Sequence, residues 1–142
     1  MFNGKAMDDI RGSANPKRLL IVDDEPGITG LIEIAAKQLG YAVSSIHDSN
    51  RFEKAFEAIK PTVIFLDVNM PNRGGLELIA VLARMSYAGK VVVMSGSDPY
   101  YVQMSSNIGS TRGLAIAGTL PKPFRKQQLL DLFANLTGPS LS

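Results

Sequence analysis

Cysteine is absent from the 142 residues of this chain, and tryptophan is absent as well. Without a thiol, the protein cannot have a disulfide framework, a thiolate zinc site or a cysteine nucleophile. Histidine occurs once, as His47. We expect this residue to lie at the surface or at a strand end, because no second metal-ligating partner accompanies it. The candidate chemistry therefore rests on carboxylates, hydroxyls and lysines.

Long apolar runs and clusters of like charge are also missing. No stretch approaches the ~20 apolar residues of a membrane span, and residues 1–17 lack the apolar core of a signal peptide. The formal net charge is +2, and the lysines and arginines are scattered along the chain. We therefore expect a cytoplasmic protein with no membrane insertion and no direct DNA binding.

The composition is that of one globular domain, with 45% hydrophobic and 20% charged residues. A chain of this length can bury a sufficient core without a disulfide or a structural metal. Residues 1–17 mix glycine, serine, asparagine and proline without apolar periodicity. We expect a flexible N-terminal tail at 1–17, a single domain at 18–137 and a short C-terminal tail at 138–142.

Five apolar runs alternate with five amphipathic segments. The predicted strands are 18–22, 41–46, 62–66, 90–94 and 114–120. The predicted helices are 26–39, a segment between a cap at Asp48 or Ser49 and Pro61, 76–85, 99–112 and 124–136. In the first helix, the spacing predicts one buried face of Ile28, Leu31, Ile32, Ala35 and Leu39.

This alternation predicts an α/β fold, with a single doubly wound, five-stranded parallel sheet and right-handed crossovers. A flavodoxin-like (βα)5 arrangement has the strand order 2-1-3-4-5, in which the first and third strands are neighbours. Ligands of such sheets bind outside the carboxyl ends of the strands. The residues that follow each strand are therefore the candidates for function.

Charged or reactive side chains follow four of the five predicted strands. The set is Asp23 and Asp24, Asp67, Ser95, and Lys122. The strand order brings Asp24 beside Asp67, and converging carboxylates raise at least one pKa unless a cation joins them. A hard divalent ion such as Mg²⁺ takes oxygen ligands of this kind.

Lysine and serine complete a site for phosphoryl transfer. Lys122 offers a positive charge to phosphate oxygens, and Ser95 offers a hydroxyl donor. In such a site an aspartate carboxylate is the nucleophile, while metal and lysine neutralise the charge that develops on the transferred group.

Four sequence blocks carry a family resemblance. In chain order they are LLIVDDEP, FLDVNMPNRGGLEL, VVVMSGS and GTLPKPF, with 43 residues from Asp24 to Asp67, 28 more to Ser95 and 27 more to Lys122. They resemble the signature blocks of the response-regulator receiver domain (CheY-like) of two-component signalling. The resemblance covers residues 18–136.

The resemblance implies a role for each acidic residue. Asp67 would be the phospho-acceptor, and Asp24 would bind Mg²⁺ (or Mn²⁺) directly. Asp23 would act on the metal at least partly through water, and the backbone carbonyl of Asn69 would complete the protein ligands.

The resemblance also implies roles for the remaining signature residues. Ser95 would contact the phosphoryl group and move toward it on activation, Gly96 would keep access open, and Lys122 would pair with the phosphoryl oxygens. Receivers usually carry Tyr or Phe three residues before this lysine, and here that position is Thr119. Either Thr119 is a smaller rotamer switch, or the signal travels mainly through the loop after Ser95.

The implied partners are a histidine kinase or phosphotransfer protein as donor, and a downstream effector as target. The effector would bind the surface around helix 4, strand 5 and helix 5. The closing string GLAIAGTLPKPF is similar to receivers placed before cyclic-di-GMP phosphodiesterase domains, which favours a cyclic-di-GMP-related effector. Because the phosphoryl acceptor is consumed, we do not expect an enzyme.

Two other functions remain open at this point. A degenerate receiver would be a constitutive docking module, and Thr119 favours this alternative. A haloacid-dehalogenase-like phosphatase would also use an aspartate beside Mg²⁺, and the string Asp67-Val68-Asn69 loosely resembles its nucleophile motif. Repeated turnover of a phosphomonoester would distinguish the phosphatase.

Overall fold

A five-stranded parallel sheet with helices on both faces forms the fold. The computed structural model describes residues 16–70, 73–96 and 99–137, including their side chains except at 99–102 and 137. The predicted tails thus lie outside the described residues, apart from Pro16 and Lys17. The strands are β1 (Arg18–Val22), β2 (Ala42–Ile46), β3 (Val63–Asp67), β4 (Lys90–Ser95) and β5 (Ala115–Pro121).

Five α-helices alternate with these strands along the described chain. They are α1 (Pro26–Gln38), α2 (Phe52–Ile59), α3 (Gly75–Arg84), α4 (Pro99–Thr111) and α5 (Lys126–Thr137). A single 3₁₀ turn (Ser49–Arg51) precedes α2, and Asp48 caps this turn by accepting a hydrogen bond from the N–H of Asn50. Asp48 is therefore a cap, as predicted, although of the turn rather than of the helix itself.

The strand order is β2-β1-β3-β4-β5, and every pair is parallel. This confirms the predicted doubly wound, flavodoxin-like fold. All five residues of β3 are buried, as expected for an apolar strand covered on both faces. Asp67 is itself the last residue of β3, one residue beyond the predicted end, and it pairs with Met94 of β4.

The core is divided into two layers by the sheet. Successive strand residues point to opposite faces, so Leu19 and Ile21 pack toward α1 and α5, whereas Leu20 and Val22 pack toward α2 and α3. Burial of each such side chain contributes roughly 1.5–3 kcal/mol. The two layers together fix β1 and β3 side by side.

The predicted buried face of α1 is wrong at two positions. Leu31 and Leu39 are 55% and 40% exposed, although Ile32 and Ala35 are buried as predicted. The helix turns about 100° per residue, so contact through Ile32 rotates Leu31 toward the rim of the interface. There Leu31 lines a shallow apolar groove with Phe124 and Leu129.

A β-bulge interrupts the pairing of β4 with β5. Val91 pairs with Ile116 and Val92 pairs with Gly118, which leaves Ala117 as the extra residue. The bulge lets Ile116 pack toward α4 beside Gly109 while Gly118 lies against Leu132 of α5. Thr119 is exposed on this edge strand.

Cations cap helix C-termini at the end of the sheet where the strands begin. Lys17 Nζ donates to the carbonyl of Leu39 at 3.1 Å, and Lys90 Nζ donates to that of Leu136 at 2.8 Å. Arg18 Nε likewise donates to the carbonyl of Lys60 at 2.8 Å, beyond the end of α2. Such cations stabilise the negative end of a helix dipole. We call Lys17, Arg18 and Lys90 the basic edge.

Lys17 is held in place although the sequence suggested a tail up to this residue. Its carbonyl accepts a hydrogen bond from the N–H of Ala42 at 2.8 Å. Within the described residues, no helix combines the length and the apolar character that crossing a lipid bilayer requires.

Candidate functional site

The candidate residues meet at the end of the sheet opposite the basic edge. Asp67 and Ser95 are the last residues of β3 and β4, whereas Asp23 and Lys122 directly follow β1 and β5. Because the strands are parallel, these ends lie along one edge of the sheet. The structure thus brings together the acids, the hydroxyl and the lysine that the sequence suggested.

Four carboxylates form the floor and rim of this site. Carboxylate oxygens of Asp23, Asp24, Glu25 and Asp67 all lie within 4.8 Å of one another. Asp23 and Asp67 are buried, whereas Asp24 and Glu25 are exposed. The site therefore has two fixed acids inside and two acids in contact with solvent.

Backbone N–H groups orient the two buried carboxylates. Oδ1 of Asp23 accepts a hydrogen bond from the N–H of Glu25 at 2.8 Å, and Oδ1 of Asp67 accepts one from the N–H of Asn69 at 2.9 Å. Both contacts are local turns of the kind that aspartate makes two residues ahead. Each leaves the second oxygen, Oδ2, for other partners.

Lys122 supplies a positive charge in direct contact with three of these acids. Its Nζ lies 3.0 Å from Oδ2 of Asp23, 2.5 Å from Oε1 of Glu25 and 3.3 Å from Oδ2 of Asp67. Its side chain is only 8% exposed. The backbone N–H of Lys122 donates to the carbonyl of Ser95 at 2.9 Å, which aligns the β5 end with the β4 end.

Burial and charge shift the pKa values in this cluster. Burial raises the pKa of Asp23 above its ordinary value, although the N–H of Glu25 and the ammonium of Lys122 lower it in part. Burial also lowers the pKa of Lys122, but hydrogen bonds to Glu25 and Asp23 outweigh this effect, and its pKa is raised. The charged form of Lys122 is therefore stabilised, whereas ionisation of the buried Asp23 carboxyl is less favourable than in water.

The donor set fits a hard divalent cation. Four carboxylates face one ammonium, so the cluster retains a surplus of negative charge when all are ionised. The ligand atoms are all oxygens, the type that Mg²⁺ or Mn²⁺ prefers. Asp23, Asp24 and Asp67 are placed to hold such an ion, and Glu25 lies at the solvent-exposed edge of the cluster.

Ser95 and Asn69 are joined across the top of the site. The hydroxyl of Ser95 donates to the side-chain oxygen of Asn69. Ser95 is 3% exposed, so its hydroxyl is held inside the protein near Asp67. Asn69 therefore takes part in the site through its side chain, and the role of its backbone carbonyl stays a prediction.

An open pocket of about 600 Å³ gives access to the acids. Its lining includes Asp24, Asp67, Asn69, Gly96 and Lys122. A Cβ added at Gly96 would lie 3.5 Å from Cβ of Lys122, in ordinary van der Waals contact. Gly96 thus borders the pocket, and its role in keeping access open stays a prediction.

Thr119 does not line this pocket. It is exposed on β5, three residues before Lys122. The structure therefore places it beside the site rather than in it.

A second pocket, of about 630 Å³, lies at the basic edge. Its lining includes Lys17, Lys60 and Lys90, together with Tyr41 and Tyr87. Each of these lysines donates to a backbone carbonyl at or near a helix C-terminus. The lining contains no carboxylate, so the acidic pocket remains the candidate for metal and phosphoryl chemistry.

His47 is exposed, as predicted for a strand-end residue. Its Nδ1 lies 2.8 Å from the carbonyl oxygen of Asp23. Because a carbonyl only accepts, the ring donates this hydrogen bond. His47 thus supports the backbone after β1 rather than acting in the pocket.

Sequence reasoning missed an anchor of the loop that follows β3. The guanidinium of Arg73 donates to both carboxylate oxygens of Glu53, at 2.6 and 2.7 Å, and its Nε donates to Glu77 at 3.2 Å. The N–H of Arg73 also donates to the buried hydroxyl of Ser49 at 3.0 Å. Only the four-residue spacing of Arg73 and Glu77 is visible in the sequence.

Known proteins resemble this chain over most of its length. The family described as "Response regulator receiver domain" matches residues 19–134. A signal receiver domain from Bermanella marisrubri is 28% identical, with a TM-score of 0.69 over 85% of this chain and 98% of that chain. Response regulator TrrA from Thermotoga maritima, solved in complex with Mg²⁺-BeF, is 25% identical, with a TM-score of 0.69 over 84% and 98%.

A longer relative matches over part of its length. The transcriptional regulatory protein TrcR of Mycobacterium tuberculosis is 28% identical over 120 residues, which are 84% of this chain and 45% of TrcR. The chain thus spans less than half of that regulator.

Proposed function

Because the chain belongs to the response-regulator receiver domain family, we propose that it is a phosphorylatable switch in which Asp67 accepts the phosphoryl group. Receiver domains as a class are signalling switches of two-component systems rather than enzymes with turnover. The observation that carries the assignment of Asp67 is its position. It is the buried carboxylate at the end of the central strand, 3.3 Å from the ammonium of Lys122.

The proposed reaction moves one phosphoryl group from a phosphohistidine to Asp67. A carboxylate oxygen of Asp67 attacks phosphorus, and an O–P bond forms as the P–N bond of the donor breaks. The electron pair of that bond leaves on the imidazole nitrogen, which takes up a proton from solvent. The products are an acyl phosphate on Asp67 and a neutral histidine in the kinase or phosphotransfer protein.

Residues around Asp67 stabilise the transferred group in this proposal. Lys122 donates to a phosphoryl oxygen, and the hydroxyl of Ser95 turns from Asn69 to a second oxygen. Gly96 leaves room for the donor at the mouth of the pocket. Such donors act on the charge that develops in the transition state, where they contribute most.

Asp23, Asp24, Asp67 and the carbonyl of Asn69 would hold Mg²⁺ or Mn²⁺. When bound, the cation supplies positive charge that neutralises the phosphoryl oxygens. The support for this assignment is the surplus of carboxylates over ammonium groups in the cluster.

The output proposed here is a change in the surface formed by α4, β5 and α5. We assign the receiver domain to residues 18–137. The exposed, uncharged residues of β5 support docking of a protein effector, and the string GLAIAGTLPKPF supports a cyclic-di-GMP-related one. A coupling of about 1–3 kcal/mol between phosphorylation and effector binding is the usual size for such a switch. Because Thr119 does not line the acidic pocket, its position supports a route in which the effect of phosphorylation reaches the surface through the loop after Ser95.

Intact mass spectrometry tests the acceptor. The chain is incubated with Mg²⁺ and acetyl phosphate, alongside Asp67→Asn and the control Asp131→Asn, an exposed acid on α5. We expect one added phosphoryl group in the unaltered chain and in the control, and none in Asp67→Asn. An adduct that survives in Asp67→Asn would show that another residue is the acceptor.

The same samples test the two alternative functions. A phosphatase would release many equivalents of phosphate from a phosphomonoester, whereas a receiver holds a single group. A chain that binds Mg²⁺ but forms no adduct would instead be a constitutive docking module, for which the exposure of Thr119 is the favouring observation.

A further inference from the structure

We propose that Glu25 is a positioning residue that holds the ammonium of Lys122 at the mouth of the pocket and competes for it with the phosphoryl group. This inference rests on the proposed function of Asp67. Glu25 touches neither the acceptor atom nor the donor in this proposal, and it acts through Lys122.

The backbone of Glu25 is fixed by its surroundings. Its N–H donates to Asp23, and its carbonyl accepts hydrogen bonds from the N–H groups of Ile28 and Thr29 at 3.0 and 3.2 Å. Glu25 is the N-cap residue of α1, yet its side chain makes no capping hydrogen bond. A simple helix cap would turn its carboxylate toward the free N–H groups of the first turn.

The carboxylate of Glu25 reaches Lys122 instead. Oε1 lies 2.5 Å from Nζ, so the ammonium contacts this acid directly, as it does Asp23 and Asp67. The Glu25 side chain is 59% exposed, whereas that of Lys122 is 8% exposed. The contact therefore draws a nearly buried ammonium toward the solvent side of the pocket.

The number of donors on Lys122 makes the contact competitive. An ammonium has three N–H donors, and Asp23, Glu25 and Asp67 all lie within reach of it. A phosphoryl group on Asp67 needs at least one of these donors. The acyl phosphate replaces the single charge of the Asp67 carboxylate with several phosphoryl oxygens, which can take more than one donor. The buried Asp23 would be left without compensation if it lost Lys122, whereas water can replace Lys122 at the exposed Glu25. Glu25 is therefore the acid that loses its contact with Lys122 when a phosphoryl group is present.

Two variants separate the contact from the charge. Glu25→Gln removes the negative charge and weakens the contact. Glu25→Asp keeps the charge but shortens the side chain by one methylene, so that its carboxylate falls short of Nζ. Glu57→Gln, at an exposed position on α2, is the control for the change in net charge.

The first measurement is the affinity for beryllofluoride, a phosphoryl mimic, at saturating Mg²⁺. Both Glu25 variants are expected to bind it more tightly by about fivefold, the factor that corresponds to the upper range for an exposed ion pair. Glu57→Gln is expected to match the unaltered chain. Tighter binding in Glu25→Gln alone would show that only charge matters and would overturn the proposal, as would unchanged binding in both.

The second measurement is the ¹⁵N signal of the Lys122 ammonium in the metal-free protein. It is expected to shift in both Glu25 variants and to stay in place in Glu57→Gln. This readout does not require a phosphoryl group. If the chain takes neither beryllofluoride nor phosphate, the function proposed for Asp67 fails, and an unmoved ammonium signal separately overturns the role of Glu25.

Discussion

The hydroxyl of Ser95 donates a hydrogen bond to the side-chain oxygen of Asn69, and this contact joins the end of β4 to the loop that follows β3. The hydroxyl is thus engaged before any phosphoryl group arrives. Because Asn69 is exposed and Ser95 is buried, solvent can take over at Asn69 when the hydroxyl turns away.

Ser95→Ala removes this donor and should slow phosphorylation of Asp67. A hydrogen bond to a charged group contributes about 1.5–3 kcal/mol, so we expect a loss of roughly tenfold or more in the rate. The measurement is the initial rate of adduct formation with acetyl phosphate. Ser95→Thr keeps the hydroxyl and should remain close to the unaltered chain. Equal rates in Ser95→Ala and the unaltered chain would contradict a role in transfer.

Asp24→Asn should weaken Mg²⁺ binding by at least about tenfold. The loss of a unit charge a few Å from a divalent ion at an effective dielectric of about 20 exceeds the ~1.4 kcal/mol that this factor requires. Isothermal titration calorimetry measures the affinity. Asp131→Asn raises the net charge equally, on a remote helix, and should bind Mg²⁺ normally. Removal of Mg²⁺ with a chelator should abolish the phosphoryl adduct in every variant.

Asp23→Asn should stabilise the metal-free protein at neutral pH. Burial raises the pKa of Asp23 in the folded state, so stability from this group is present below its unfolded pKa and is lost as the pH rises through the folded pKa. The neutral asparagine avoids that loss.

The pH dependence of this effect gives its check. The gain in Tm of Asp23→Asn, measured by circular dichroism in a chelator, should be largest at neutral pH. It should shrink as the pH falls through the ordinary carboxyl value of 3.8, below which Asp23 is protonated in both states. A Tm below that of the unaltered chain at neutral pH would be the opposite of this expectation.

Arg73 and Glu53 should show a measurable coupling in stability. The hydrogen bond from Arg73 lowers the pKa of Glu53, so the stability it contributes is present above the unfolded pKa and is lost as the pH falls through the folded pKa. Glu53 is half exposed, which limits the coupling to about 0.2–1 kcal/mol.

A double-mutant cycle in urea measures this coupling. It uses Arg73→Gln, Glu53→Gln and the double variant, at neutral pH and at a pH well below the ordinary value of 4.5 for Glu53. The coupling should be present in the first condition and absent in the second. Additive effects at neutral pH would mean that the ion pair contributes nothing to the anchor.

Gly75→Ala and Gly30→Ala should change stability in opposite directions. A Cβ at Gly75 would lie 2.5 Å from Cα of Val68, so backbone next to Asp67 must move, at about 1–3 kcal/mol. Gly30 lies in α1 with nothing within 4 Å of a new Cβ, and alanine there should add about 0.5–1 kcal/mol. Urea unfolding compares both. Equal stabilities of the Gly75→Ala and Gly30→Ala variants would contradict the close approach of Gly75 to Val68.

The fold and the main acids could be predicted because both follow from local patterns. An apolar run that ends in an acid, as at Leu66 and Asp67, marks a buried strand and its carboxyl end at once. Parallel pairing then brings such ends together whatever the intervening sequence. The predicted positions of Asp23, Asp67 and Lys122 along the sheet edge needed no further information.

Other features depend on contacts between distant residues, and the sequence carries no sign of them. Glu25 and Lys122 are 97 positions apart, and Arg73 and Glu53 are 20 apart. No short-range periodicity links such pairs. The exposure of Leu31 likewise depends on how α1 is rotated against its neighbours, since the helical spacing of apolar residues allows more than one buried stripe.

The basic edge has a consequence for how the molecule meets other molecules. Each cation there carries a full positive charge, which exceeds the roughly half negative charge of the helix end that it caps. The carboxylates of Asp23, Asp24, Glu25 and Asp67 lie at the opposite end of the strands. Among the described residues, the two ends of the sheet thus carry charges of opposite sign, so a cationic surface attracts the acidic pocket and repels the basic edge.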